Sequence, residues 1–116
     1  MKPSSAKSKG RHLQKWVRDL ILAKFNLEAD DVRSVSMGVS GEDLLLSPAA
    51  RRVLPISLEC KSRAAISVYG YYEQARGNAG GYEPVCIIKQ NRDKPLAVVD
   101  CEYFFELLRR VNNDNV

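Results

Sequence analysis

Three ionisable side chains, Asp43, Glu59 and Lys61, have the types and spacing to act on a phosphate ester. The stretch ISLECKSR, residues 56–63, alternates apolar and polar residues, which predicts a β-strand with Glu59 and Lys61 on one face. Asp43 begins the preceding predicted strand. If the two strands pair with Asp43 near Glu59, two carboxylates converge, and their repulsion raises a pKa unless a cation lies between them.

Carboxylate oxygens in such a pair suit Mg²⁺ or Mn²⁺, with water and a substrate phosphate completing the octahedron. A metal held there stabilises a pentavalent phosphate and activates a bound water as nucleophile. Beside it, Lys61 can orient or deprotonate that water, or neutralise developing charge. The alternative is a Glu–Lys pair on a sheet face open to solvent, because the pattern E-x-K alone is a weak signal.

Composition and charge favour a single globular domain, residues 1–116, with a net charge of +4 and a pI of about 9.1. That charge is compatible with a polyanionic partner. Residues 1–8 are predicted to form a flexible basic arm that either lies along a phosphate backbone or stays solvated, and residues 112–116 a frayed tail. The first eleven residues contain no acid and four cations, Lys2, Lys7, Lys9 and Arg11.

Several other classes of site and location are disfavoured by residue counts. The three cysteines, Cys60, Cys86 and Cys101, are far apart in apolar stretches, which predicts small core residues in a reducing compartment, without disulfides or zinc. A single histidine, His12, cannot by itself anchor a zinc site or a serine triad. No apolar run approaches the ~20 residues that span a bilayer, and no signal-peptide core follows the start. A cytoplasmic protein without a membrane contact is therefore expected. No small-molecule cofactor is expected either.

Hydrophobic periodicity predicts an α/β fold in the order α-β-β-β-α-β-β-α, a mixed β-sheet flanked by helices. The segments EPVCIIKQ (83–90) and PLAVVD (95–100) are predicted strands covered on both faces. The first helix should turn inward the stripe Leu13, Trp16, Val17, Leu20, Ile21 and Phe25, and Asn26 is expected to end it. The closing helix should turn inward Phe104, Leu107, Leu108 and Val111.

With these elements in line, the sequence resembles the PD-(D/E)XK nuclease superfamily, and within it the archaeal-type Holliday junction resolvases and phage-encoded relatives. The resemblance runs over residues 9–100. It rests on the order of short motifs: KGRHLQKWVRDLI, VSGEDLLL, PISLECKS, ISVYGYYEQA and EPVCIIKQ. It implies a restriction-endonuclease-like core.

The resemblance also assigns roles to residues. It implies that Asp43 and Glu59 are metal ligands, with the main-chain carbonyl of Cys60 as a further ligand, and that Lys61 is catalytic. Gln14 occupies the place where many members have a glutamate, and an amide is the poorer ligand. Gln74, on the helix after E-x-K, is expected to reach the site or the scissile phosphate, or else to be a surface amide.

Contacts with DNA are expected from three further groups of residues: serines, tyrosines and cations. Ser36 and Ser40 resemble hydroxyls that touch phosphate in resolvases, although they equally suit turn hydroxyls that bond the local backbone. Four tyrosines, Tyr69, Tyr71, Tyr72 and Tyr82, are candidates to stack on bases, and at least two of them should be core. A basic collar around the site is expected from Arg51, Arg52, Lys61, Arg63 and Arg76, with Lys7, Lys9 and Arg11 as further DNA contacts.

The sequence therefore predicts a Mg²⁺-dependent DNA endonuclease, with Mn²⁺ able to substitute, acting on branched DNA. Paired cuts in a two-fold symmetric junction need a homodimer, for which the aromatics Tyr103, Phe104 and Phe105 are the candidate interface. One alternative is a nicking, restriction-like or repair nuclease on linear duplex DNA. A second is a non-catalytic nucleic-acid-binding module of the same fold, and a third is a small structural protein. If the chain is phage-encoded, the host cytoplasm is the expected location.

Overall fold

The computed structural model describes residues 3–35 and 41–114, with the helices and strands following one another in the predicted order. One short helix and one 3-10 turn (Ala29–Asp31) are added to that order. The elements are α1 (Pro3–Phe25), β1 (Val32–Ser34), β2 (Leu44–Leu46), α2 (Pro48–Val53), β3 (Ile56–Arg63), α3 (Val68–Gly77), β4 (Glu83–Gln90), β5 (Leu96–Val98) and α4 (Cys101–Asp114).

The strands form two sheets, where the sequence predicted one mixed sheet. β1 and β2 pair antiparallel as a two-stranded sheet. In the three-stranded sheet β3 pairs parallel with β4, and β4 pairs antiparallel with β5. The parallel pair requires a crossover connection, which α3 provides. β1 and β2 are only three residues long, so their ladder ends before it can join the larger sheet.

The first helix packs against β3 along a narrower stripe than the sequence predicted. Leu13, Val17 and Ile21 are buried and join Leu58 and Cys60 of β3 in the main core cluster. Three members of the predicted stripe lie outside this buried line of residues and are 40–50% exposed: Trp16, Leu20 and Phe25. The spacing of four residues explains this, because side chains at i, i+4 and i+8 cover one narrow line of a helix.

The ends of the first and last helices extend beyond their predicted limits. α1 begins at Pro3, so residues 3–8 are helical, where a flexible arm was predicted. Proline fits the first turn of a helix because its missing N–H has no intrahelical partner there. α1 ends before Asn26, which adopts a positive φ of 52° and so turns the chain away from the helix, as the sequence predicted. α4 continues to Asp114, within the segment predicted to fray.

The closing helix turns much of its apolar surface outward. Phe104, Leu108 and Val111 were predicted to face the core, but they are 46%, 43% and 55% exposed. Phe105 is 61% exposed. β5 was predicted to be covered on both faces, yet Leu96 is 54% exposed, because β5 is the edge strand of its sheet. β4, the central strand, is largely buried as predicted.

Two further expectations concern the membrane and the thiols. In residues 3–35 and 41–114, no helix combines the length and the apolar character that crossing a bilayer requires. All three cysteines are free thiols. Cys60 and Cys86 are buried as predicted, whereas Cys101 is exposed, because it opens the loosely covered helix α4.

Candidate active site

Asp43 joins the two sheets through its main chain. Its N–H donates a hydrogen bond to the carbonyl of Leu58 in β3 (2.8 Å). Its carbonyl accepts one from the N–H of Val35, just beyond β1 (2.9 Å). The residue therefore lies between the two-stranded sheet and the long strand of the larger sheet. This position brings the predicted first acid to the strand that contains the E-x-K pattern.

The carboxylate of Asp43 is held by the same strand. Its Oδ2 accepts a hydrogen bond from the main-chain N–H of Cys60 (2.7 Å). In a parallel ladder alternate residues bond to the neighbouring strand, and the N–H and C=O of one residue point to the same side. Since the N–H of Cys60 points to Asp43, the carbonyl of Cys60 also points to the edge of β3 that faces away from β4. The predicted carbonyl ligand thus lies on the Asp43 side.

Glu59 lies between the two β3 residues that bond to Asp43. It is buried, with 6% of its surface exposed. Its Oε1 lies 3.7 Å from the Nζ of Lys61, and its Oε2 accepts a long hydrogen bond from the side-chain amide of Asn78 (3.4 Å). The three residues named by the sequence prediction are therefore close together. Glu59 and Lys61 lie on β3, and Asp43 is hydrogen-bonded to that strand on either side of Glu59.

Burial disfavours the charged forms of both acids, and the charge of Asp43 further disfavours that of Glu59. The pKa of Asp43 is raised by burial, although the hydrogen bond from Cys60 and the charge of Lys61 oppose the shift. The pKa of Glu59 is raised by burial and then by the negative charge of Asp43, and Lys61 and Asn78 partly offset this. Two partly buried carboxylates, one of which raises the pKa of the other, form a place where a cation would be stabilised.

The residues present fit a hard divalent cation with an incomplete protein shell. Asp43, Glu59 and the Cys60 carbonyl offer oxygen donors, which Mg²⁺ and Mn²⁺ prefer, and water and phosphate commonly complete such shells. Among the described residues, no group of three or more His, Cys, Asp or Glu side chains is arranged to hold a metal. Gln14 is buried, 2% exposed, on the helix that packs on β3.

Helix α3 and its C-cap place two residues beside Glu59 and Lys61 that the sequence did not predict there, although Tyr71 was a candidate for base stacking. Besides Asn78, which caps the helix, the ring of Tyr71 lies with its centroid 5.5 Å from the Nζ of Lys61. Gln74, the residue expected to reach the site, is exposed. Tyr71, Ala75 and Asn78 are spaced i, i+4 and i+7, and Ala75 is buried at 1% exposure. Asn78 follows the small residue Ala75 by three positions, so it lies on the same face of the helix. This spacing is the sequence signal that could have identified Asn78.

The predicted basic collar divides into engaged and exposed cations. Arg51 donates to the carbonyl of Ile56 (2.6 Å), pairs with Glu42 and stacks on the ring of Tyr82, 4.1 Å from its centroid. Arg76 pairs with Glu73 on the exposed side of α3. Arg63 is half-buried and donates to the carbonyl of Ser62 (2.9 Å). Lys7, Arg11 and Arg52 are exposed.

The remaining predicted contacts have separate outcomes. Ser36 and Ser40 lie outside the described residues. Lys9 donates to the side chain of Asn91 (2.9 Å) on a different side of the molecule. Of the four tyrosines, Tyr71 and Tyr72 are half-buried, and Tyr69 and Tyr82 are 86% and 44% exposed. Tyr69 leaves its ring open for a base to stack on, whereas one face of the Tyr82 ring is already covered by Arg51.

An open groove adjoins the acids. It has a volume of about 540 Å³ and is bordered by Gly41, Glu42, Asn78, Gly80 and Tyr82, among others. Asn78 is the link between this groove and Glu59. The described surface beside the acids is therefore concave and accessible.

Comparisons with known proteins give no family assignment. No protein-family model matches the chain, and searches of curated proteins and of solved structures find no significant match. The functional argument therefore rests on the residues and on their geometry.

Proposed function

We propose that the chain is a divalent-metal-dependent DNA endonuclease with a restriction-endonuclease-like core. The observation that carries the proposal is the position of Asp43, which bonds to β3 on both sides of Glu59, through Leu58 and Cys60. Glu59 in turn lies 3.7 Å from Lys61. Two carboxylates whose charged forms are disfavoured by burial, beside an ammonium, are costly in a small fold, and phosphodiester hydrolysis is a function that uses all three.

The proposed reaction is hydrolysis of a phosphodiester. The oxygen of water forms a bond to phosphorus, the bond from phosphorus to O3′ breaks, and O3′ takes up a proton. The products are a 5′-phosphate and a 3′-hydroxyl. A divalent ion held by Asp43, Glu59 and the Cys60 carbonyl would polarise the phosphate and lower the pKa of a bound water.

The protein side chains have distinct parts in this reaction. Lys61 contributes a positive charge beside the phosphate, where negative charge builds up in the transition state, and a donor that orients the attacking water. Asn78 restrains the carboxylate of Glu59 through its amide. Tyr71 places its ring near the ammonium of Lys61, and this contact helps to hold the lysine side chain in that position.

We infer branched DNA as the substrate and a homodimer as the assembly. The apolar stripe of α4, namely Phe104, Phe105, Leu108 and Val111, is exposed and is suited to a second copy of the same surface. The charge of Glu106, which lies on the same helix, is already paired with Arg109 and Arg110. A second copy therefore does not have to supply a cation for it. Helix α4 has 14 residues, a length of about 21 Å, which is long enough for a two-helix contact.

The proposal is tested with a labelled four-way junction and a linear duplex of equal length. Each is incubated in Mg²⁺, Mn²⁺ or EDTA with the wild-type protein, with Glu59→Gln and with Gln74→Ala. We expect metal-dependent, symmetric cuts in the junction that Glu59→Gln abolishes and that the exposed-site control Gln74→Ala retains. Equal cutting of both substrates would support the linear-duplex nuclease instead.

The non-catalytic module is the second candidate because Gln14, an amide, is buried on the helix where the resembling nucleases have a carboxylate. It predicts a gel shift without cutting in either metal. In that case Asp43→Asn should tighten DNA binding, because it removes a negative charge that repels phosphate.

A further inference from the structure

A second site lies on the opposite face of the three-stranded sheet from Glu59 and Lys61. A cavity of about 330 Å³ opens between α1 and the ends of β3 and β4. Ser62 borders it, and Ser62 is adjacent to Lys61 in an extended strand, so the two side chains point to opposite faces. Lys89, which is paired in register with Ser62, also borders the cavity. The cavity is therefore separate from the candidate active site.

The lining of this cavity combines an aromatic face with cations. Lys9, His12 and Trp16 follow one another along α1 at i, i+3 and i+7, so their side chains share one face of the helix. Trp16 is 49% exposed although its neighbours Leu13 and Val17 are buried. Among the described residues that line the cavity there is no carboxylate.

One of the cations is already held in place. The Nζ of Lys9 donates a hydrogen bond to Oδ1 of Asn91 (2.9 Å), in the turn after β4. That turn is itself fixed, because the N–H of Asn91 donates to the carbonyl of Arg63 (3.1 Å). An ammonium group has three donors, and the contact with Asn91 uses one of them. Lys9 is therefore restrained near the cavity at little further entropic cost on binding.

We propose that this cavity binds one unstacked nucleotide of a single-stranded nucleic acid, independently of the nuclease function. The base stacks on the indole of Trp16, and the phosphate is bound by Lys9 and Lys89, with His12 as a further N–H donor. A volume of about 330 Å³ is comparable with that of one nucleotide and far smaller than that of a duplex segment. The charge of the lining favours a phosphate, and the indole favours a flat ring over an inorganic anion.

The experiment uses the intrinsic fluorescence of Trp16, which is the only tryptophan in the chain. The protein is titrated in EDTA, so that no metal-dependent cleavage occurs, with an eight-residue oligothymidylate, with thymidine monophosphate and with inorganic phosphate. We expect saturable quenching with the oligonucleotide and weaker quenching with the mononucleotide. Inorganic phosphate should leave the emission almost unchanged, because it cannot stack.

Matched variants make the result decisive. Lys89→Gln should weaken oligonucleotide binding by about tenfold, as loss of a charge-assisted contact does. Lys94→Gln, an exposed lysine that does not line the cavity, should leave it unchanged. Circular dichroism checks that both variants fold. Absence of quenching with both nucleotide probes, or equal weakening by both substitutions, would overturn the proposal.

Two comparisons separate the sources of the ligand and the two functions. Tighter binding of the mononucleotide than of the oligonucleotide would overturn the single-stranded ligand in favour of a free nucleotide. The oligonucleotide should quench the Trp16 fluorescence of Glu59→Gln as strongly as that of the wild type. Cleavage without quenching would refute only the nucleotide site, and quenching without cleavage would refute only the nuclease.

Discussion

The side-chain amide of Asn78 donates to the buried carboxylate of Glu59 across 3.4 Å, from the end of α3 to the middle of β3. Asn78→Ala removes this restraint and leaves the carboxylate less well oriented. We expect cleavage to fall about tenfold, with a higher Mg²⁺ concentration needed for half-maximal rate. The measurement is the cleavage rate against Mg²⁺ concentration.

The control for Asn78 is Gln74→Ala, on the same helix but exposed. It should change neither the rate nor the metal requirement. Asn78→Asp should be more damaging than Asn78→Ala, because a second negative charge beside Glu59 raises its pKa further. If Gln74→Ala has the larger effect, then Gln74 and not Asn78 acts at the site.

Neutralising Glu59 should stabilise the metal-free protein. Burial, and then the charge of Asp43, raise the pKa of Glu59, so the folded state opposes its ionisation. A group with a raised carboxyl pKa costs stability once the pH exceeds its ordinary value, and the full cost is present above the folded pKa. At pH 7 in EDTA we therefore expect Glu59→Gln to be more stable than the wild type. Thermal unfolding measures the gain.

The same comparison at low pH provides the control for Glu59. Below the ordinary value of 4.5 the wild-type carboxyl is protonated, so the difference between wild type and variant should vanish. A variant that is less stable than wild type at pH 7 would show that the contact with Lys61 outweighs burial.

Asp31 should give the protein an acid-labile contribution to stability. The hydroxyl of Ser47 donates to Asp31 (2.6 Å), and this bond, followed by the backbone N–H of Glu28, lowers the pKa of the carboxyl. A lowered pKa means that the contribution is present above the ordinary value of 3.8 and is lost as the pH falls through the folded value. Urea unfolding of wild type and Asp31→Asn should therefore converge below that value.

The exposed stripe of α4 should control self-association. Phe105 is 61% exposed, so Phe105→Glu should keep the fold while placing a charge in the proposed contact. We expect the variant to sediment as a monomer where the wild type sediments as a dimer. Arg109→Glu alters an exposed residue outside the stripe, and it should leave the dimer intact. A wild-type monomer at high concentration would contradict the proposed assembly.

Two of the three thiols should be inert in the folded protein. Cys60 and Cys86 are buried, and burial raises the pKa of both, in Cys86 to about 11. The reactive species is the thiolate, so alkylation should await unfolding. Cys101→Ser removes the exposed thiol, and this variant should show no rapidly reacting group with a thiol reagent. Rapid labelling of that variant under native conditions would mean that β3 or β4 is more accessible than described.

The order of the elements was predictable because periodicity and turn residues are local signals. The alternation of residues 56–63 identified β3, and Asn26 marked the end of α1. The convergence of Asp43 with Glu59 required only that two successive segments be neighbours. It occurs through individual hydrogen bonds of Asp43, where strand pairing was expected.

The orientation of helix faces was less predictable, since it depends on which surface each helix packs against. Trp16 and Phe104 are apolar and correctly spaced for a core, yet both are largely exposed. The resemblance pointed to Gln74, which is exposed, whereas Asn78 bonds to Glu59, and the small buried residue Ala75 marks the face of α3 that packs inward. Such orientations depend on packing between distant segments, which the local pattern does not contain.

The engagement of Arg51 has a consequence for how the protein meets a polyanion. Binding to DNA is driven largely by release of condensed counterions, with a slope of log K against log salt of about −0.9 for each phosphate neutralised. A guanidinium that pairs with Glu42, donates to Ile56 and stacks on Tyr82 already has its charge partly neutralised before a phosphate binds. The formal net charge of +4 therefore does not equal the number of phosphates that the protein neutralises at this site. For the proposed DNA binding, we expect the salt sensitivity to follow exposed cations such as Arg52, whereas Arg51 borders the groove.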